Sequence, residues 1–423
     1  MGLRNIKDLP ADILLDIIAR LPTESVLESK LVCRLWRNLV SSHNPSFSQI
    51  HLTHLSHPAA ADSGKLSFLV KDKNQKLHYF EYSDTHDEIP VHSVRGFNLA
   101  PPFTSTYYKV IGSVNGLVCL HGYGDHTTYI CNPLTKEYVL LPNVKNNDHN
   151  IHCSTGFGYL PLTNEYKVVE VYELWREPGF TKVAVYTLGS GNGWRSVGKF
   201  DNMFGEAYVE HSVFVNEALY WVDYVGGLVF FFDLAEEKFR NFSTPPLPLE
   251  KARYDFSIGV IGAALYYAIR YYCQITGCIW SDIWLQEKKN DEPLGWSEEF
   301  RLLGREPLAF TKSGGVLYFD GSSLGIYDAI ASTSKKLVDS TAFIQISPHK
   351  NTLVSLRELG EEDIKLMDSV ENEKLASRDQ LARWSWIHFL VCNLFSCFDF
   401  LPTLFSFSSL FVFFAYVFLI YVL

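Results

Sequence analysis

The feature that most constrains the fold of this 423-residue chain is an internal repeat of short apolar runs. A run that begins with Asn or Gly recurs about a hundred residues apart, at residues 115–120, 216–221 and 314–319. Each run leads to a strand, an Asn or Asp turn and a returning strand, at residues 130–138, 231–239 and 326–334. Repetition of this kind predicts identical structural units packed side by side.

A second match halves the period of the repeat. Residues 186–197 and 283–299 resemble each other at the same offset, between the main runs. The repeat is therefore about fifty residues long, which is the length of a kelch-like propeller blade. We expect a propeller of about six blades starting near residues 65, 113, 155, 211, 255 and 312, with a pair of β-sandwiches as the alternative.

Composition agrees with a large β-rich body. Hydrophobic residues make up 47% of the chain and aromatic residues 15%, whereas charged residues make up only 20%. This composition excludes an extended disordered chain. A net charge of -10 offers no basic field for phosphates, so we expect no nucleic-acid partner.

The first fifty residues have a different, helical pattern. Asp8 and Pro10 mark the start of a helix, and Pro22 ends it. Its apolar residues cover too wide an arc for one contact, and further short helices follow up to Val40. A unit of about 45 residues buries too little surface to be stable alone, so a partner is expected to cover the rest.

The spacing of these residues resembles the F-box. The pattern consists of Leu9, Pro10, Ile13, Leu14, Ile17, Leu21, Pro22, Val26, Leu27, Lys30, Val32, Cys33, Trp36 and the trailing Pro45, Ser46 and Phe47. Glu28 departs from it, since related plant sequences often have a basic residue there. The resemblance implies a Skp-type adaptor as partner, linked to cullin and RING subunits. It also implies that the adaptor is gripped by Leu9, Pro10, Ile13, Ile17, Leu21, Pro22, Val26, Leu27, Val32 and Trp36. The alternative is a helical hairpin with a private core.

The β body resembles the plant F-box-associated domain in four motifs, at residues 112–120, 131–136, 156–159 and 164–169. The predicted fold is thus a small all-α F-box of three helices, then a large all-β, kelch-like propeller, then an apolar tail. The predicted boundaries are 1–50 for the F-box, 51–64 for a linker, 65–356 for the β domain, 357–384 for a charged helical linker and 385–423 for the tail.

Signatures of catalysis are missing from the sequence. It contains no HExxH, P-loop, GxSxG or GxGxxG motif, so we expect no catalytic residue, metal or cofactor. His51, His54 and His57 are interpreted as solvated linker residues. His121, Asp125 and His126 are interpreted as a hairpin tip, and Cys273 and Cys278 as core thiols.

The C-terminal tail is almost wholly apolar. Residues 400–423 carry no Asp, Glu, Lys, Arg or His. As a helix they would extend about 36 Å, enough to cross a membrane. A tail anchor and a translated intron, suggested by the many phenylalanines, are both open, and packing of the tail on the soluble body is a third possibility.

The resemblance implies a non-catalytic substrate receptor of an SCF-type ubiquitin ligase, with an unknown target bound by the β domain. The N-terminus has no signal peptide, so we expect the protein in cytosol or nucleus, or on the cytosolic face of a membrane through its tail. Two rivals remain: a membrane-tethered F-box scaffold that degrades nothing, and a propeller hydrolase or lyase with His121, Asp125 and His126 as its nucleus.

Overall fold

The computed structural model covers the helical N-terminus and the β body. It describes residues 9–40, 45–56, 65–83, 91–96, 107–122, 126–144, 150–174, 180–201, 212–223, 227–246, 254–272, 279–289, 292–303, 306–321, 323–328, 331, 333–339 and 343–367. Four helices come first: α1 (Ala11–Ala19), α2 (Thr23–Ser29), α3 (Arg34–Leu39) and α4 (Pro45–Ser56). Pro10 and Pro22 directly precede α1 and α2, because their fixed φ suits a helix start.

Six antiparallel sheets follow, and we number them as blades 1 to 6. Blade 1 contains β1 (Lys65–Asp72), β2 (Leu77–Ser83) and β3 (Val91–Gly96). Blade 2 contains β4 (Tyr108–Val114), β5 (Leu117–Gly122), β6 (Thr128–Cys131) and β7 (Glu137–Leu140). Blade 3 contains β8 (Asn150–Leu160), β9 (Glu165–Leu174), β10 (Phe180–Thr187) and β11 (Trp194–Asp201).

The remaining blades repeat the same order. Blade 4 contains β12 (Val213–Val215), β13 (Ala218–Val222), β14 (Val229–Asp233) and β15 (Lys238–Phe242). Blade 5 contains β16 (Tyr254–Ile261), β17 (Ala264–Tyr272), β18 (Ile279–Lys289) and β19 (Glu292–Leu303). Blade 6 contains β20 (Glu306–Phe310), β21 (Val316–Phe319), β22 (Ser323–Asp328) and β23 (Thr333–Asp339). The predicted six-bladed propeller is confirmed over the described residues, and the pair of sandwiches is not found.

Blade 1 is completed from the far end of the β body. Strand β24 (Phe343–Pro348) pairs antiparallel with β1, for example Val70 with Ile346, and forms the innermost strand of that blade. The Gln345 side chain joins β24 to the next inner strand, since Nε2 donates to Val110 O (2.7 Å) and Oε1 accepts from Val110 N (3.1 Å). The ring is thus closed by one strand from one end of the β body and three from the other.

Each blade buries both faces against its neighbours. In β1, Leu69 packs with blade 2, whereas Phe68 and Val70 pack with Leu317 and Leu324 of blade 6. This alternation follows from the two-residue period of a strand. The core between blades 1 and 6 therefore forms only when the ring is closed.

The Asn or Asp turns of the repeat have one mechanism. Asn132 Oδ1 accepts from the backbone N–H of Leu134 (3.0 Å), and Asp233 Oδ1 accepts from that of Ala235 (2.9 Å). Asp328 Oδ1 accepts from Ala331 N in blade 6 (2.9 Å). A short side chain with an acceptor oxygen is what such a turn requires.

After β24 the chain runs under blades 2 and 3 as a segment that we call the strap, residues 349–361. Asn132 Nδ2 donates to Thr352 O (3.0 Å) and Val354 O (2.8 Å), and Gly189 N donates to Glu361 Oε1 (2.8 Å). A β-carbon at Gly189 would lie 1.6 Å from Leu359 O, so the strap is in close contact with this turn. Strand β25 (Lys365–Leu366) then pairs with β7 as a fifth strand of blade 2.

Two segments differ from the sequence-based boundaries. Helix α4 crosses the expected boundary at residue 50, because Phe47 and Leu52 on it are needed in two cores. Residues 357–367, expected to begin a helical linker, form turns and β25.

The predicted membrane span finds no support. The described residues contain no helix that is long and apolar enough to cross a membrane. Residues 385–423, on which that prediction falls, lie outside them.

The turn at Asn132 gives a test of strap docking. Asn132→Asp keeps the turn acceptor but loses both donated hydrogen bonds, and it points a buried carboxylate at two carbonyl oxygens. We expect the free energy of unfolding to fall by about 2 to 4 kcal/mol in chemical denaturation. Asp233→Asn makes the reverse change at the equivalent turn of blade 4, where Asp233 is half-buried. This variant should change the free energy of unfolding by less than about 1 kcal/mol. Equal losses would contradict docking through Asn132.

Candidate protein-interaction site

The helices α1 to α3 expose an unusual amount of apolar surface. Three residues at four-residue spacing lie on one side of α1 and just before it: Leu9, Ile13 and Ile17. Three more lie around the turn into α3: Leu31, Val32 and Leu35, of which Leu31 is 80% exposed and Val32 54%. We call these six residues the apolar face. Large exposed apolar groups on a small module are typical of an interaction surface.

The opposite side of the helices forms a small core. Ile18, Ala19, Val26, Val40 and Phe47 are buried together, and Leu353 of the strap completes the cluster. No residue of α3 is buried, so this helix contributes no buried side chain to the core. The helical module therefore does not have a core entirely of its own.

The ten residues predicted to grip an adaptor occupy different environments. Six are exposed: Leu9, Pro10, Ile13, Ile17, Pro22 and Val32. Leu21, Leu27 and Trp36 are half-buried and pack against the helical core, and Val26 lies inside it with no exposed surface. The structure also exposes Leu31 and Leu35, two apolar residues that were not among the ten. Their signal in the sequence is an apolar side chain for which the helical core has no room.

An ion pair lies on α1 beside the apolar face. Arg20 Nε donates to Asp16 Oδ2 at 3.0 Å, and this hydrogen bond lowers the pKa of the Asp16 carboxyl. His54 Nε2 lies 3.6 Å from Asp16 Oδ1. Asp16 and Arg20 are largely exposed, so we expect this pair to influence partner choice more than stability.

His51 is not the solvated linker residue that the sequence suggested. It lies fully buried on α4, stacks on Phe47 at 5.9 Å between ring centroids, and bonds Leu21 O through Nε2 (3.0 Å). Burial lowers the pKa of His51, so the ring is neutral and donates to that carbonyl. It thereby holds the turn between α1 and α2. His57 lies outside the described residues.

A second polar cluster lies between blades 2 and 3. Thr128 Oγ1 donates to Glu170 Oε1 (3.1 Å) and contacts His121 Nδ1 (3.0 Å). Burial raises the pKa of the Glu170 carboxyl to about 7, although the hydrogen bond from Thr128 lowers this pKa. A carboxyl group whose charged form is this poorly solvated changes protonation near neutral pH.

Of the hypothetical catalytic nucleus, the described residues include only His121 and His126. His121 is buried, and its ring centroid lies 6.1 Å from that of His126, which is exposed. Asp125, Cys273 and Cys278 lie outside the described residues. Within the described part of the chain no group of three His, Cys, Asp or Glu residues could hold a metal ion.

A helical module with an exposed apolar face, fixed to a closed propeller, defines a class of protein: a propeller protein that carries a helical interaction module. Comparison with known families agrees. Residues 6–48 match the family model described as F-box domain, and residues 65–256 match the one described as F-box associated beta propeller domain. The chain is a plant-type F-box protein.

The relatives are F-box proteins of Arabidopsis thaliana. The chain is 29% identical to the F-box protein At3g07870 over 57% of its own length and 61% of that relative, less than two thirds of it. It is 25% identical to the putative F-box protein At1g32420 over 60% of this chain and 82% of the relative. The F-box/kelch-repeat protein At3g23880 is 23% identical over 70% of this chain and 80% of the relative.

Solved structures are similar only at a distance. A nidogen/laminin complex aligns with a TM-score of 0.37 and 12% identity, over 67% of this chain and 97% of that one. The GH93 alpha-L-arabinofuranosidase of Fusarium graminearum aligns with a TM-score of 0.35 and 11% identity, over 66% of this chain and 83% of that one. Similarity at this level carries no argument about function.

Glu170 predicts how stability depends on pH. Below about pH 4.5 the carboxyl is protonated in both the folded and the unfolded chain. Between there and about pH 7 the unfolded chain releases the proton first, so the free energy of unfolding falls as pH rises. Glu170→Gln, which imitates the protonated form, should therefore be more stable than wild type at pH 8 by about 3 kcal/mol and similar at pH 4.

Denaturant titrations at pH 4, 6 and 8 measure this difference. Glu173→Gln removes the same charge from the same strand, β9, without touching the bond to Thr128. We expect the pH-dependent gain only for Glu170→Gln. A gain of the same size for both variants would show that net charge, and not the Glu170 carboxyl itself, sets the pH dependence.

Proposed function

We propose that this protein is a substrate receptor of an SCF-type ubiquitin ligase. In this proposal the apolar face on α1 to α3 binds a Skp-type adaptor, which connects the chain to cullin and RING subunits. The propeller binds a target protein. The observation that carries the proposal is the apolar face itself, in a segment that matches the F-box domain.

The physical argument for adaptor binding is burial. Ile13 and Ile17 are 45% and 39% exposed, although both are large aliphatic side chains on a helix whose other side is packed. A partner that covers such residues gains about 25 cal/mol for each square ångström of apolar surface removed from water. Pro10 and Pro22 limit α1, so the face is short and well defined.

The propeller is proposed to act by positioning. The strap and the helices cover turns of blades 2 and 3 on one side of the ring, such as those at Asn132 and Gly189. In this proposal a target binds the outer rim or the opposite side of the ring, where Asp223 follows β13 and Asp320 follows β21. A bound target held near the conjugating enzyme reacts faster because its effective concentration is higher, without a catalytic side chain on this chain.

The proposed setting is the cytosol or the nucleus. Cys119 and Cys131 are free and buried in blade 2, and burial raises the pKa of both thiols. Buried thiols that do not ionise are compatible with a reducing compartment.

Adaptor binding can be tested on the apolar face. The double variant Ile13→Ala, Ile17→Ala should weaken binding to a purified plant Skp-type adaptor by about 30-fold or more, measured by isothermal titration calorimetry. Both side chains are partly exposed, so the denaturation midpoint should change little. Leu162→Ala, which removes a 93% exposed apolar side chain from blade 3, is the matched control. Unchanged adaptor affinity in the double variant would refute the assignment of this face.

A further inference from the structure

We propose that the strap couples adaptor binding at the helices to closure of the propeller ring, so that each strengthens the other. The inference rests on the proposed adaptor binding for its function, and on the contacts of residues 349–361 for its physics. Three features of these contacts support it: continuity with the closing strand, side chains that alternate between the two domains, and a chain of hydrogen bonds that joins the domains.

The strap begins where ring closure ends. Strand β24 ends at Pro348, and the next residue, His349, continues the pairing with blade 1. Its backbone N–H donates to Ser67 O (3.0 Å), and Ser67 Oγ donates to His349 O (2.5 Å). No spacer separates the two segments, so displacing the strap pulls directly on the strand that closes the ring.

Side chains of the strap alternate between the helices and the propeller. Thr23 Oγ1 donates to Asn351 O (2.8 Å), and Leu353 packs into the helical core. Thr352 Oγ1 instead donates to Asn115 O in blade 2 (2.5 Å), and Val354 enters the core between blades 2 and 3. This segment is therefore a shared layer, and neither domain is fully packed without it.

A chain of hydrogen bonds runs from the inner ring to α2. Asn351 Nδ2 donates to Glu24 Oε1 (2.9 Å), and Asn351 Oδ1, which can only accept, accepts a hydrogen bond from His349 Nε2 (3.1 Å). Burial lowers the pKa of His349 to about 4, so the ring is neutral and Nδ1 accepts from Ser113 Oγ (2.7 Å). Ser113 belongs to β4 of the inner ring. Each group in this series of hydrogen bonds therefore has a fixed role as donor or acceptor, which makes the geometry specific.

Thermodynamic linkage gives the functional consequence. An adaptor that binds the helices only when they are packed also stabilises whatever those helices need in order to pack. Here that includes Leu353 and Asn351, and through His349 the closing strand β24. The reverse must hold with the same factor, so a ligand that tightens the closed ring raises adaptor affinity.

Hydrogen exchange on the full-length chain tests the coupling. We expect saturating Skp-type adaptor to slow exchange of backbone amides in β24 and β1 about tenfold or more, although the proposed contact lies on the helices. Leu353→Ala and Asn351→Ala should reduce this remote slowing and, in the free chain, speed exchange in both α1–α2 and β24–β1. Glu24→Gln keeps the acceptor oxygen for Asn351 and should retain the coupling.

Leu219→Ala is the control for a general loss of stability. It leaves a similar cavity at a fully buried site in the core between blades 3 and 4. We expect its effect on exchange to be centred on those blades. The coupling is overturned if, in the helices and in β24 and β1 alike, exchange in Leu353→Ala is no faster than exchange in Leu219→Ala.

The outcomes separate this inference from the proposed function. Adaptor binding without any change in β24 and β1 would overturn the coupling and leave the receptor proposal standing. Failure of the wild-type chain to bind any Skp-type adaptor would overturn the receptor proposal. The coupling between helices and ring would then be decided by the free-chain exchange of Leu353→Ala and Asn351→Ala.

Discussion

Pairing of β24 with β1 is the interaction on which the rest of the structure depends. Each blade has two apolar faces that only neighbouring blades can cover. Phe68 and Val70 meet Leu317 and Leu324 of blade 6 only because Ile346 and its neighbours close the ring on blade 1. Without this pairing, one face of blade 1 and one of blade 6 would be open to water. The closing strand also fixes where the strap begins, and hence where the helices lie.

The repeat was readable from sequence because each blade solves the same local problem. Asn132, Asp233 and Asp328 each accept backbone N–H groups in the same turn, so selection for that turn left a visible period. Closure was not readable in the same way. Residues 343–348 have the alternation of an ordinary strand, and which strand they pair with is decided by the geometry of the whole ring. The blade count could therefore be predicted while the closing strand could not.

The helical site shows the same division between local and tertiary information. The spacing of Ile13 and Ile17 placed both on one side of α1, and the structure leaves that side exposed. The same pattern could not separate Val26, which is buried, from Val32, which is exposed, because the difference depends on what packs from elsewhere. His51 was misread for a related reason. Its role depends on the Leu21 carbonyl, thirty residues earlier in the chain, which no local pattern reveals.

The strap resolves a difficulty raised by the helices alone. A module of this size buries little apolar surface, and α3 buries no residue of its own. Leu353 and Asn351 provide the missing contacts from the propeller side. Asn132 makes this possible in blade 2, because an amide can hold the turn with its oxygen and donate to the strap with its nitrogen. The aspartates at the equivalent turns of blades 4 and 6 have no such donor. The Nδ2 atom of Asn132 therefore distinguishes blade 2, on which the strap docks, from those blades.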